Sequence, residues 1–203
     1  MDIQDLEKIL SPARLRAFRN GDHDPARIIS IYERNILFGA RYFVAVHFLE
    51  VSLRNEINGI LSRNLGAGWF NRKGALRHPQ TVQLKDAIER LRKKGKAPAK
   101  PDDIVAELSL GFWVGLLNKG YEKDQQYWRR YLYRGFAHRP ARHDRKELFA
   151  RFDSIRHFRN RVFHQERIMH NKPIHKLNEC VQAIGWINRE AMTWVSNILE
   201  RMP

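Results

Sequence analysis

Arg159, Asn160, His164 and Glu166 fall within the eight residues RNRVFHQE. On a helix, Asn160 and His164 stand at i and i+4, one turn apart on one face. Arg159 lies about 100° round the axis from Asn160, but its side chain is long enough to bend to the same place. A helix that frays after Phe163 would free His164 to meet Arg159. The set then offers a titratable imidazole, a permanent cation and an amide, which suits transesterification of an RNA phosphodiester. The ribose 2′-OH attacks the neighbouring phosphorus, and an imidazole takes its proton near neutral pH. The guanidinium binds two phosphate oxygens as negative charge builds. The amide orients the imidazole or the phosphate. No metal is needed, and DNA lacks the attacking hydroxyl. One imidazole serves poorly as both base and acid in a turnover, so a dimer bringing two copies together is expected.

Spacing alone does not decide the matter. The dipeptide Arg-Asn occurs five times, and only at 159–160 does a histidine follow the Asn by four. A second polar set lies upstream: Glu50 and Arg54 are i and i+4, with His47 one turn earlier. That pair reads either as a structural salt bridge or as a brace for the catalytic groove. The run YEKDQQYWRRYLYRGF alternates aromatics with arginines, so Arg129 and Arg130 are candidates to hold RNA phosphates beside stacked bases. Helical spacing makes about half of those aromatics core residues. Lys93 and Lys94, with Lys96 and Lys100, form a basic patch that reads as solvated surface, or as a phosphate-tracking strip if RNA binds. His157, His164, His170 and His175 invite a zinc reading, but no HExxH or cysteine pair supports it, so neither metal nor cofactor is expected.

The elements that must position these residues are nearly all helices. LSPARLRAFRNG has Ser11 as cap, Pro12 at the first helical position and Gly21 as stop. The next stretch opens at Asp24 and Pro25 and closes at Gly66, about 40 residues, with Ile28, Ile31, Leu37, Phe38, Tyr42 and Leu49 at threes and fours. A kink or short break near Gly39 is expected. QTVQLKDAIERLRKKG, DDIVAELSLGFWVGLL, HDRKELFARFDSIRHFRNRVFHQE and IHKLNECVQAIGWINREAMTWVSNILER read as further helices, and no strand is expected. The fold class is all-α, a helical bundle with a long central helix and additional N-terminal helices, forming a single domain over residues 1 to 203.

Composition bounds the partners. Hydrophobic residues make up 43%, enough for a sizeable core. Net charge is +15, a field that attracts polyanions and points to RNA. No uninterrupted apolar run reaches about 18 residues, so no membrane span is expected. The opening MDIQDLEKIL is acidic and does not read as a signal peptide. Cys180 is the one cysteine, which rules out an intrachain disulfide. A cytoplasmic location is expected.

RNRVFHQE resembles the Arg-Asn-x-x-x-His signature of HEPN-domain ribonucleases. LSPARLRAF, FLEVSLRNEIN and DDIVAELSLGFWVGLL, in that order, are similar to the Abi-like (abortive infection) branch of that family. The resemblance covers roughly residues 9 to 170. It implies an all-helical HEPN-type fold and metal-independent endoribonuclease activity. It further implies a composite site between two subunits, and a role in phage defence or as a toxin with an antitoxin protein. Arg159, Asn160 and His164 match its catalytic motif. Glu50, Arg54 and Asn55 match its second polar cluster, and His47 and Glu166 stand beside these as supporting residues. Phe163 and Gln165 depart from relatives that carry a small residue before the histidine and a second histidine after it; Phe163 is expected to crowd the site. The alternative is a non-catalytic RNA-binding or protein-interaction module that keeps the fold.

Overall fold

The computed structural model describes every residue except Met1, Asn20, Asp22, Asn171 and Pro203. The described residues form helices and turns without strands. In chain order the helices are α1 (Ile3–Leu10), α2 (Pro12–Arg19), α3 (Pro25–Leu65), α4 (His78–Lys93), α5 (Pro101–Glu107), α6 (Leu110–Gly115), α7 (Lys119–Asp124), α8 (Tyr127–Arg130), α9 (Arg145–Phe163), α10 (Pro173–Ile187) and α11 (Arg189–Glu200). Short 3-10 turns follow at Trp69–Asn71 and Leu132–Phe136.

Helix α3 is the axis of the molecule. Asp24 caps it by accepting the Ala26 N–H, Pro25 starts it, and Gly66 ends it at φ 93, a conformation glycine adopts without strain. It runs unbroken for 41 residues, so no break forms at Gly39. Instead Gly39 faces Val162 of α9, where a Cβ would sit 3.6 Å from the valine. α9, α10 and α11 pack on α3. Tyr42, Leu49, Leu53 and Ile57 are fully buried there, and the Tyr42 and Phe158 rings meet edge to face at 4.9 Å. By length and composition α3 is apolar enough to cross a membrane, although polar residues interrupt its apolar run. Its buried stripe is nevertheless the core of this bundle. Leu37, expected inward, is exposed together with Ile36 and Phe43.

Two expected helices are broken. DDIVAELSLGFWVGLL bends at Leu108, which separates α5 from α6 and lets Phe112, Trp113 and Val114 enter the core. The last helix breaks at Asn188, extended at φ −150, whose side chain accepts the Ala191 N–H at 2.9 Å and starts α11. That turn folds Met192 back onto Gly185, where a Cβ would lie 2.4 Å from the sulfur. α1, α2 and the start of α3 close a separate small cluster of Leu6, Leu15, Phe18 and Ile28.

Candidate functional site

Helix α9 carries the motif, and both its ends are firmly built. At its start Asp144 accepts the Lys146 and Glu147 N–H groups while Glu147 accepts the Asp144 N–H, a reciprocal capping box. The Glu147 hydrogen bond holds the Asp144 carboxyl below its ordinary range. Leu148, Phe152, Ile155 and Phe158 fall on the inner face. The helix ends at Phe163, with His164 as C-cap. Gln165 then takes the left-handed conformation at φ 55. Its N–H donates to the Val162 carbonyl at 2.9 Å, and the Glu166 N–H donates to the Arg161 carbonyl at 3.0 Å, closing a Schellman turn.

The tail of this turn is clasped from α3. Asn35, buried on the apolar stripe, donates from Nδ2 to the Glu166 carbonyl at 3.0 Å and accepts the Ile168 N–H on Oδ1 at 2.8 Å. Arg14 of α2 donates to the Gln165 carbonyl at 2.7 Å. Neither residue was anticipated from the sequence. The signal for Asn35 was its place between Ile31 and Phe38 on a stripe otherwise apolar.

Arg159 and Asn160 open into a groove of about 610 Å³ walled by α4, α6 and α9. Arg159 bends toward Asn160, as its length suggested, and Nη1 donates to Asn160 Oδ1 at 3.3 Å. Its guanidinium lies 4.0 Å over the Phe163 ring, a cation–π contact. Phe163 is therefore a shelf beneath Arg159 and does not crowd it out. The Nε atom is buried without a hydrogen-bond partner. Among the described residues no carboxylate pairs with Arg159, whereas neighbours Arg156 and Arg161 are paired with Asp153 and Glu166, each at 2.8 Å. His164 is exposed and does not line this groove. A second, apolar groove of about 500 Å³ lies on the α3 side, lined by Ile36, Gly39, Phe43 and Phe163. His47 stacks on Phe43 at 6.3 Å, and Phe43 meets Phe163 at 5.6 Å, so a row of rings runs from His47 to Arg159.

The Glu50–Arg54 bridge is corrected: Glu50 instead accepts the Leu110 N–H at 2.7 Å. It caps α6, whose Leu110, Gly111, Val114 and Gly115 wall the groove. Glu50 is thus a brace. Arg54 donates to Asn55 Oδ1 at 3.3 Å, and neither lines the groove. Glu166 is held by Arg161. The basic candidates lie away from both grooves and are engaged: Arg129 with Glu122 at 2.7 Å, Arg130 with Gln126, Lys94 with Glu107 at 2.8 Å, and Lys93 at 3.9 Å from Glu89. Tyr127 is core, and Trp128 is half-buried under Arg139. Among the described residues no group of three or more His, Cys, Asp or Glu is gathered to hold a metal ion.

The groove floor is polar. Tyr121 Oη accepts the Arg77 N–H and donates to Gln80, each at 2.9 Å. Burial pushes this phenol up to about 12, so it stays a proton donor at neutral pH. Gln80 itself occupies the space a side chain at Gly115 would take, which only glycine leaves open. No family model, curated protein or solved structure matches the chain.

Proposed function

We propose that the protein is a metal-independent endoribonuclease that cleaves RNA by attack of the 2′-OH on the adjacent phosphate. Arg159 stabilises the phosphate, Asn160 orients it, and His164 moves the proton. The observation that carries this reading is Arg159 itself: a half-buried cation lining a groove, paired with no carboxylate among the described residues, in a chain of net charge +15. A cation already neutralised would have little left to offer a developing phosphorane. The reading calls for a homodimer: His164 lies outside the groove of its own chain, and Ile36, Phe43 and Phe163 leave an exposed apolar surface. Pairing over that surface would bring two imidazoles together and supply the base and the acid.

The resemblance to Abi-like HEPN proteins adds the biological setting: a cytoplasmic effector of phage defence, or a toxin restrained by an antitoxin protein. The second reading is a non-catalytic RNA-binding module of the same fold, favoured by the separation of His164 from the groove. Incubating total RNA with the protein in EDTA tests both. Cleavage leaving 2′,3′-cyclic phosphate ends, abolished by His164→Ala with the thermal midpoint within a few degrees, is the result expected. Salt-sensitive binding that leaves RNA intact in the presence of the cognate trigger selects the module.

A further inference from the structure

Helix α9 carries a second imidazole in register with the motif. Asp153, His157, Asn160 and His164 stand at i, i+4, i+7 and i+11. The His164 N–H still donates to the Asn160 carbonyl at 2.9 Å, so the helical register reaches the C-cap. His157 and His164 are one heptad apart, about 20° round the axis and about 10.5 Å along it. Asn160 lies between them, and Arg159 is drawn to it by the 3.3 Å hydrogen bond. The stripe forms the lip of the groove: Asp153 and Asn160 reach its lining, and the two imidazoles are exposed outside it. A phosphate gripped by Arg159 and Asn160 therefore has one imidazole on each side along the helix.

His157 has a partner for either charge state. Its Nε2 lies 2.8 Å from Arg156 Nη2 and 3.5 Å from Asp153 Oδ2. A neutral Nε2 accepts from the guanidinium, and a protonated one donates to the carboxylate. Asp153 is itself fixed on Oδ1 by Arg156 Nε at 2.8 Å. With Nε2 engaged, Nδ1 is the nitrogen left to exchange a proton with a ligand.

We infer that His157 is the general acid of the cleavage, acting in the same chain as His164. His164 takes the 2′-OH proton as the bond from the 2′-oxygen to phosphorus forms. His157 Nδ1 gives its proton to the 5′-oxygen as the phosphorus–oxygen bond breaks, and the bonding pair leaves with that oxygen. The products are a 2′,3′-cyclic phosphate and a 5′-hydroxyl. Both exposed imidazoles regain their starting charge by exchange with water. Asp153 keeps the proton on Nε2 and steadies the imidazolium, as a positioning residue. The inference rests on the nuclease reading and changes it at one point: the second imidazole comes from α9 itself and not from a partner.

Hexamers with one ribonucleotide among 2′-O-methyl residues, A, C, G or U in turn, test it beside twins with sulfur as the bridging 5′ atom. A thiolate leaves without a proton near neutral pH far more readily than an alkoxide. His157→Ala is expected to slow the oxygen substrate at least about 100-fold and the sulfur substrate by no more than about threefold. Cutting of the sulfur substrate also shows that the variant is folded. Asp153→Asn should show the same pattern at about tenfold, and His164→Ala, lacking the base, should slow both substrates. An unchanged rate for His157→Ala, equal slowing on both substrates, or rescue by sulfur of His164→Ala instead overturns the inference. Wild-type protein that cuts none of the hexamers also overturns it, and total RNA left intact as well refutes the nuclease reading with it.

Discussion

Replacing Asn35 by alanine should loosen the end of α9 and weaken the whole fold. The asparagine makes two hydrogen bonds to the chain that follows the motif, at 3.0 Å to the Glu166 carbonyl and 2.8 Å from the Ile168 N–H. The second is buried, so alanine strands a backbone donor away from water. Each lost bond contributes roughly 1 kcal/mol net, and the stranded N–H adds about 1–2 kcal/mol of desolvation, for a loss of about 3–4 kcal/mol. In a chain of this size that corresponds to roughly 6–16 °C in thermal midpoint. Asn35→Asp keeps an acceptor for Ile168 but sets a carboxylate against the Glu166 carbonyl, so its loss should be comparable at neutral pH and smaller in acid, where the carboxyl regains a proton to donate. The assay is thermal unfolding by circular dichroism, with amide exchange at Ile168 as the local readout. A midpoint within about 2 °C of wild type together with an Ile168 amide still protected would refute the reasoning. So would an Asn35→Asp variant whose deficit grows as the pH falls.

Two further outcomes can be checked in the same way. Gln165 holds φ 55 at the C-terminus of α9, and its role there is played by backbone atoms; Gln165→Gly should raise stability by about 0.5–1 kcal/mol and Gln165→Val lower it, measured by denaturant midpoint at constant slope. The hydrogen bonds from Lys94 and Arg90 hold the Glu107 carboxyl below its ordinary value. The unfolded chain therefore binds its proton at higher pH than the folded one. The pairing stabilises the fold above the usual glutamate range and loses that effect as pH falls through the lowered native value. Glu107→Gln should accordingly flatten part of the acid limb of a stability–pH curve, and an acid limb unchanged in slope would contradict it.

Local punctuation made much of the architecture readable. Pro12, Asp24–Pro25 and Gly66 mark helix ends where the sequence placed them, because a cap or a proline acts through its own backbone. The helix read from HDRKELFARFDSIRHFRNRVFHQE runs on to Glu166, whereas α9 ends at Phe163 in a turn closed by Gln165, a residue type that does not mark a helix end; the reach of Arg159 to Asn160 follows from side-chain length. What escaped depended on distant chain. The periodicity of DDIVAELSLGFWVGLL continues through Leu108, and only Glu50, 60 residues earlier, explains why a new helix starts at Leu110. Glu50 and Arg54 have ideal spacing for an ion pair, yet the carboxylate goes to a backbone N–H instead. Leu37 fits the apolar period but falls on the side of α3 that α9, α10 and α11 leave uncovered.

The reach of the clasp has a bearing on when the motif takes shape. Asn35 lies 131 residues before Glu166, Arg14 lies 151 before Gln165, and Arg41 of the same long helix ties to the Leu199 carbonyl across 158. A ribosome must therefore release most of the polypeptide before the bend after Phe163 can lock. Arg14 and Asn35 precede the motif, so both partners of the clasp are already synthesised when Gln165 and Glu166 are added, and only the tie from Arg41 waits for the last helix.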